Sequence, residues 1–371
     1  MRILHIASFI GNIGDNASHI GLQSILDRFV PSYEVTRVEI RKFYKNYRHE
    51  DKLVFDGGFI RYINSYDLVI IGGGGFLDYW VPDSASGTTI DIEPSLVSGI
   101  RTPTFIISVG CFPHKDIPPG NVEKFRAFLD AVLSNNYIRL AVRNDGSLTS
   151  LRNTFGSEYA ERIPEVVDNG FFFRPKSNFR LPLRRKYVAL NIVADQIEML
   201  SNQRGAIDKT TYYSELAEIV RYVVYEMGLD IVLIPHIYQD LQAISNLIST
   251  LDDFLVRSHV AIAPYIQGDE GAESLFSVYR DSEAVIATRL HANICSLAMG
   301  KITVGLAALD RVSWLHRSIG SETYVMPVGG FSKDVTTMIQ SSDLDFDCVE
   351  KNIFDKEKCS LDFYQNILSS I

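Results

Sequence analysis

Cysteine is scarce in this chain. Its 371 residues include four, Cys111, Cys295, Cys348 and Cys359, with no CxxC pair and no regular spacing. That pattern implies neither a metal site nor a disulfide framework and favours a reduced, cytoplasmic setting. Long apolar runs are missing as well. No stretch reaches the roughly 18 uncharged apolar residues of a membrane span. The opening MRILHIASFI is too short for a signal peptide and runs straight into a glycine loop, so it is expected to be a first β-strand. A basic excess is also absent: the formal net charge is −9. This argues against a nucleic-acid surface, which needs a clustered basic face, and more weakly against tight docking on acidic lipid. A compact anionic ligand stays compatible, because local arginines and backbone N–H groups decide that.

What is present is ordinary globular material, 46% hydrophobic and 22% charged, enough for two cores at roughly 150 residues per domain. The first half alternates apolar runs (Arg2–Phe9, Glu34–Ile40, Leu68–Ile71, Thr104–Val109, Ile138–Val142) with amphipathic stretches (Ala17–Phe29, Val122–Leu133, Ser147–Thr154). The runs are apolar on both faces, as buried parallel strands should be. A basic, proline-punctuated stretch, Phe173–Lys186, reads as a linker. The alternation then restarts. Strands are expected at Tyr187–Val193, Asp230–Pro235, Val260–Ala263, Ala284–Thr288 and Ile302–Leu306, and helices at Tyr212–Gly228, Asp240–Leu251, Gly271–Arg280 and His291–Gly300. The expectation is an α/β protein with two facing Rossmann-like domains, 1–180 and 187–330, each a mainly parallel sheet flanked by helices, and a helical tail, 331–371. Ligands of such sheets sit beyond the C-terminal strand ends, so the cleft-side loops are where chemistry is sought.

Four loops qualify. Gly11-Asn12-Ile13-Gly14-Asp15-Asn16 follows the first strand; its glycines allow close backbone approach, and Asp15 either caps the next helix or meets an acceptor. Gly72-Gly73-Gly74-Gly75-Phe76-Leu77-Asp78 exposes N–H groups suited to an oxyanion or a sugar. A flexible turn is the alternative, disfavoured by the ordering cost of four glycines without packing in return. The loop does not fit a dinucleotide fingerprint, since the third glycine would fall at Leu77. Asp78 is either a base facing sugar hydroxyls or a helix cap. Thr288-Arg289-Leu290-His291-Ala292-Asn293 closes a buried strand and opens a helix, where free N–H groups and the dipole suit phosphate or carboxylate. Arg289 adds a bidentate fork, His291 a group titrating near neutrality, and Asn293 completes the donor-side set. Ile234-Pro235-His236 ends another strand, and His236 either lines the same pocket or packs there. Asp240 reads as a first-turn helix carboxylate. Arg311 is a further donor-side candidate, balanced against a surface role. Asp269, Glu270 and Glu273 are expected acids at a helix start, Arg143 and Asp145 a structural pair, Asp168 and Asn169 boundary residues, and Cys111 structural.

Taken in order, these loops resemble the polysaccharide pyruvyl transferase family. Asn12–Asp15 resembles its N-x-G-D, Gly72–Asp78 its G-G-G-x-F-x-D, and Arg143-Asn144-Asp145-x-x-Ser147 its R-D-x-x-S, with Asn144 in place of the usual acid. Ile234–His236 with Asp240 resembles P-H-x-x-x-D, and Arg289–Ala292 continuing to Gly300-Lys301 resembles R-L-H-A…G-K. The resemblance covers roughly residues 1–320. It implies a GT-B-like architecture and transfer of a pyruvyl group from phosphoenolpyruvate to two hydroxyls of a sugar, giving a ketal and free phosphate. The sugar belongs to a polysaccharide such as an exopolysaccharide, or to its precursor, lipid-linked ones included. By resemblance Arg289 and His291 bind the donor, Asp78 faces the acceptor beside Asn12, Asp15, Gly73, Gly74 and Gly75, and no cofactor or metal is required. One departure stands out. Many members carry an arginine just after the first strand of the second domain, and Leu190–Asp195 has none; Arg204 and Arg185 are the available substitutes. Two rival expectations remain, a GT-B glycosyltransferase using a nucleotide-sugar and a non-catalytic sugar-binding subunit.

Overall fold

In the computed structural model the described residues are 1–204, 207–340 and 346–371. The chain divides into two compact units. Unit 1 comprises Met1–Phe9, Leu22–Asn169 and Lys356–Ile371; unit 2 comprises Ile10–Gly21 and Gly170–Asp355.

The elements of the first half are β1 (Arg2–Ala7), α1 (Ile13–Phe29), β2 (Glu34–Glu39), α2 (Gly57–Ile63), β3 (Leu68–Gly72), α3 (Pro94–Val97), β4 (Thr104–Val109), α4 (Asn121–Ser134), β5 (Ile138–Arg143), α5 (Ser147–Phe155), α6 (Ser157–Arg162) and β6 (Glu165–Val166). The six strands form one parallel sheet in the order β2-β1-β3-β4-β5-β6. The order reverses between β1 and β3, which is the switch point where doubly wound sheets bind ligands. The inner strands are buried on both faces because helices cover both sides, and Leu4, Ile6, Val69, Ile71, Ile106 and Val142 pack there with Phe125, Phe128 and Leu129 of α4. Each such side chain contributes about 1.5–3 kcal/mol when fully buried. The edge strand β2 departs from the expected both-face burial: its first four residues are exposed. Its charged residues, Glu34, Arg37 and Glu39, suit an edge that must not pair with another chain.

The second half contains β7 (Tyr187–Asn191), α7 (Asp195–Arg204), α8 (Lys209–Tyr225), β8 (Asp230–Leu233), α9 (Asp240–Thr250), α10 (Asp253–His259), β9 (Val260–Ile262), α11 (Gly268–Arg280), β10 (Ala284–Ala287), α12 (Leu290–Ala298), β11 (Ile302–Leu306), α13 (Asp310–Ser318), β12 (Tyr324–Val325), α14 (Phe331–Gln340) and α15 (Phe346–Leu368). Its sheet is again parallel, ordered β12-β11-β10-β7-β8-β9, with the switch point between β7 and β10. The expected α/β class of two Rossmann-like parallel sheets is thus observed. Strands β6 and β12 escaped the sequence reading because each is only two residues long.

The compact units divide the chain elsewhere than at 180–187. They change over at Asn169/Gly170, and the stretch read as a linker belongs to unit 2. There Glu273 of α11 accepts the N–H groups of Lys176 (2.5 Å) and Ser177 (3.1 Å), and Arg280 donates to Pro175 O and Ser177 O. The tail is shared. α14 packs on α8, whose Glu215 accepts from Gly330 N and Ser332 N. In unit 1, Tyr364 donates to Asn169 Oδ1 at 2.6 Å and Ser360 Oγ accepts from Val167 N. Among the described residues no helix is long and apolar enough to cross a membrane, and none of the four cysteines is in a disulfide.

Candidate active site

Unit 2 contains seven of the candidate site residues, Asn12, Asp15, His236, Arg289, His291, Asn293 and Arg311. The loop after β1 turns at Gly11, whose φ is +88°. Asn12, rather than Asp15, supplies the cap of α1: its Oδ1 accepts from Gly14 N at 3.0 Å, satisfying one free donor of the first turn. The Asn12 amide also donates to Asp15 Oδ1 at 3.0 Å. Asp15, released from capping, lies 3.6 Å through Oδ1 from His291 Nδ1. Asn16 donates to Asp269 at 2.9 Å, which ties α1 to α11. Asn12 and Asp15, expected on the acceptor side, are therefore built into the surroundings of His291.

His291 sits in the first turn of α12, 7% exposed. No side chain caps this helix, so the N–H groups of its first turn keep their positive end. Arg289 immediately precedes it. The Arg289 backbone N–H donates to Asn191 Oδ1 at 2.9 Å, fixing the strand-to-helix turn against the end of β7. Its guanidinium is not an open fork. It meets Asp240 at 2.5 and 3.3 Å and Asp195 at 3.0 and 3.4 Å. Burial alone would lower its pKa, but these two carboxylates outweigh it and hold the group above its usual value. Asp240 is 0% exposed on its side chain, Asp195 36%. The two partners therefore differ: Asp240 is a fixed brace, and Asp195 is the one within reach of solvent. The fork expected of Arg289 is thus occupied by carboxylates of the chain itself. Asp195 occupies the very segment, Leu190–Asp195, where the family's arginine is missing, and it approaches Arg289 from the other side of the β7/β10 switch point. The Arg204 side chain lies outside the described residues. Arg185, the other substitute, is within 3.6 Å of Asp230 and 2.9 Å of His259 at the far end of β8.

His236 and Asn293 also depart from the expected donor contact. His236 is fully buried, with Nε2 2.9 Å from the Tyr279 hydroxyl and its ring against Phe276. Burial first, then the positive charges of Arg289 and His291, pushes its pKa well down, so it stays neutral. Its backbone does the positioning: N donates to Asp240 Oδ2, and O accepts from Gln267 and from Ile13 N. Asn293 is fully buried too. Its amide donates to Ala287 O and Arg289 O, at 2.9 and 3.0 Å, so its Oδ1 is the acceptor for His316 Nε2 at 3.0 Å. His316 is thereby the Nε2–H tautomer, and its Nδ1 faces the Ser321 hydroxyl at 3.2 Å. These polar side chains pin the turn that carries Arg289 and His291 from behind. Arg311 is half-buried in the first turn of α13.

Unit 1 holds the other expected residues. The glycine loop after β3 is packed rather than open. A Cβ at Gly72 would lie 2.1 Å from Ile107 O, and one at Gly74 would lie 2.5 Å from the Phe76 ring. Gly110, facing this loop, approaches the Gly75 Cα and Arg143, and it bonds Gly74 O and Leu77 N through its backbone. Close packing thus accounts for Gly72 and Gly74, and a left-handed φ of +79° for Gly73; all three are buried, and Gly75 alone is partly exposed. Packing supplies the return that the sequence reading found missing at Gly72 and Gly74, and with the burial of all three it corrects the oxyanion-cradle expectation there. Asp78 opens no helix. Its Oδ1 accepts from Phe112 N at 2.8 Å and its Oδ2 lies 3.4 Å from His114 Nδ1. The carboxylate is 3% exposed and His114 19%, so this pair reaches solvent through its histidine. His114 was missed in the sequence, although it follows the end of β4 and that position was its signal. Behind it, buried Arg143 pairs with Asp145 (2.7 Å), as expected, and also with Asp168 (3.2 Å), which was read only as a boundary residue. Asp145 also accepts from Ser147, which accepts from Cys111 N at 2.7 Å. Burial, then Asp78 and Asp145, drives the Cys111 thiol pKa well up and leaves it inert. Among the described residues no group of three or more His, Cys, Asp or Glu is placed to hold a metal ion.

The fold and these loops define a two-unit parallel α/β protein of the GT-B kind. It is similar to solved structures of a UDP-GlcNAc 2-epimerase from Methanocaldococcus jannaschii (10% identity, 100% of both chains, TM-score 0.59). It is also similar to a UDP-N-acetylglucosamine 2-epimerase from Rickettsia bellii (11%, 98% of this chain and 97% of that one, 0.51). A glycosyltransferase from Rickettsia africae is comparable (10%, 99% and 98%, 0.53). At such identities the likeness shows the fold alone. No curated protein matches the sequence. The family model for polysaccharide pyruvyl transferase matches residues 12–309, and the chain belongs to that family.

Proposed function

We propose that the protein transfers a pyruvyl group from phosphoenolpyruvate to two hydroxyls of a sugar in a polysaccharide or its precursor. The observation that carries this reading is the Asp15–His291 pair at the uncapped N-terminus of α12, beside Arg289. A carboxylate behind one ring nitrogen orients an imidazolium so that the other can deliver a proton. His291 protonates the enol methylene, which becomes the methyl group. Positive character then builds at the central carbon, and a sugar hydroxyl adds there. The C–O bond to phosphate breaks and the second hydroxyl closes the ketal; one hydroxyl proton leaves with phosphate, and the other, taken by a base for which Asp78 is the candidate, replaces through solvent the proton His291 gave. Arg289 and the N–H groups of α12 hold the donor's anionic ends. The donor gains this arginine by displacing Asp195, the exposed partner, while Asp240 keeps the guanidinium in place. A cytoplasmic setting, an exopolysaccharide product and a lipid-linked acceptor belong to the same proposal.

The test is phosphate release from phosphoenolpyruvate across a panel of glycans, with the ketal identified by mass spectrometry. His291→Ala is expected to lose at least 10²-fold in turnover while keeping its fold. Stabilisation of the protein by UDP- or GDP-sugars with no response to phosphoenolpyruvate would replace this reading with a glycosyltransferase. Glycan binding without phosphate release would replace it with a sugar-binding subunit.

A further inference from the structure

Unit 1 contains a cavity of about 400 Å³ that no part of the proposed chemistry uses. Phe43, Tyr44, Lys45, Trp80, Asp83 and Asp91 are among its lining. The volume is in the range of small-ligand sites. The lining is mainly apolar, with charged and polar groups of both signs, including the Lys45–Asp91 pair at 2.8 Å.

The wall is built in advance. The segment from Tyr79 to Ile92 has almost no regular structure, yet its carbonyls are tied down. The Asn121 amide donates to Tyr79 O, Val81 O and Gly87 O, Ser84 Oγ donates to Thr88 O, and Ser86 Oγ donates to Ile90 O. Asp91 also accepts from Ala85 N at 2.8 Å. A loop ordered before binding adds little entropy cost when a ligand arrives. Trp80 is held as well, with the Lys115 ammonium 4.1 Å from its ring centroid and the His114 ring 5.8 Å away, edge to face. Its indole N–H is buried and has no hydrogen-bond partner among the described residues, an uncommon state for a tryptophan. His114 is in turn the partner of Asp78. The cavity wall is thus linked to the candidate acceptor base through two successive contacts, Trp80–His114 and His114–Asp78.

We propose that this cavity is a second saccharide subsite, taking a neutral pyranose ring of the acceptor next to the ring that is modified. The inference rests on the transfer reading above, and it adds that the acceptor is at least a disaccharide. A pyranose presents an apolar face for the aromatic wall and hydroxyls for Asp83 and Asp91. The mixed charge of the lining offers no clustered cationic group for a phosphate, which argues against a nucleotide.

Trp80 and Trp314 are the two tryptophans of the chain, so Trp314→Phe leaves Trp80 as the sole indole reporter. The probes are neutral disaccharides of glucose, galactose and mannose, with their monosaccharides, UDP and inorganic phosphate as comparisons. The expected result is a saturable change in Trp80 emission with at least one disaccharide, roughly tenfold weaker with its monosaccharides. In the otherwise native protein, Trp80→Leu should raise KM for that acceptor about tenfold and leave KM for phosphoenolpyruvate unchanged. Absence of a saturable change with every disaccharide, or a saturable response to UDP instead, overturns the subsite. Phosphate release with a disaccharide to which Trp80 is silent sinks the subsite and leaves the transfer reading standing. A saturable change without phosphate release does the reverse.

Discussion

Gly14 packs so closely against His291 that a Cβ at position 14 would lie 2.7 Å from the His291 Cβ and 2.8 Å from its Nδ1. The glycine is required by the histidine, and the two come from opposite ends of the family match. Gly14→Ala should push the ring out of place at a stability cost of about 1–3 kcal/mol, typical of overpacking. Phosphate release should fall at least tenfold, read beside thermal unfolding. Unchanged turnover would mean the ring need not stay where it is.

Asp15→Asn keeps the shape beside His291 and removes the charge. If Asp15 positions the proton donor, turnover falls roughly 10²-fold while KM for the acceptor stays within a factor of two. Steady-state kinetics with both substrates decide. A raised acceptor KM at intact kcat would return Asp15 to the acceptor contact expected from the sequence.

Asp195→Asn frees Arg289 from its exposed partner and leaves the buried Asp240 brace. The pair with Asp195 is partly solvated, so its loss is worth on the order of 0.5–1 kcal/mol. The expected consequence is a two- to fivefold lower KM for phosphoenolpyruvate, checked by titrating the donor at saturating acceptor. A KM that rises shows that Asp195 holds the site together rather than competing for it.

His316 and His236 make unit 2 sensitive to acid. Burial lowers the pKa of His316 to about 3 and holds that of His236 well below its usual value. Both bind a proton more readily when unfolded, so their contribution to stability is complete above about pH 6.5 and is lost as pH falls toward the folded value. His316→Gln, which can still donate to Asn293, should flatten the decline between pH 6.5 and 4 by up to about 1.4 kcal/mol per pH unit. Urea denaturation at a series of pH values measures this, and parallel wild-type and variant curves would contradict it.

Arg143→Met strands Asp145 and Asp168 in the interior of unit 1. Removing one partner of a buried ion cluster costs about 3–5 kcal/mol, so the variant should unfold far earlier in urea. A loss below about 1 kcal/mol would mean that the two acids find other partners or take up protons.

The strand–helix alternation, the two parallel sheets and the loops after β1, β3, β8 and β10 were legible in the residues themselves. They depend on local periodicity and on glycine, asparagine and aspartate at strand ends, which a chain displays before it folds. Short or exposed elements were not legible: β6 and β12 are too brief for a period, and β2, with Val35 and Val38 on opposite faces, does not show in its residues that it lies at the sheet edge.

The candidate site was half visible. Arg289 and His291 stood out as chemistry at a strand end, but their partners did not. That Asp15 turns to His291 while Asn12 takes over the capping, that Asp195 and Asp240 share Arg289, and that His236 and Asn293 face inward were decided by tertiary structure alone. The reason is physical. Periodicity specifies which face of an element is buried, whereas the pairing of a charge with its counter-charge depends on which loops the sheet order brings to one switch point, and on who is already satisfied there.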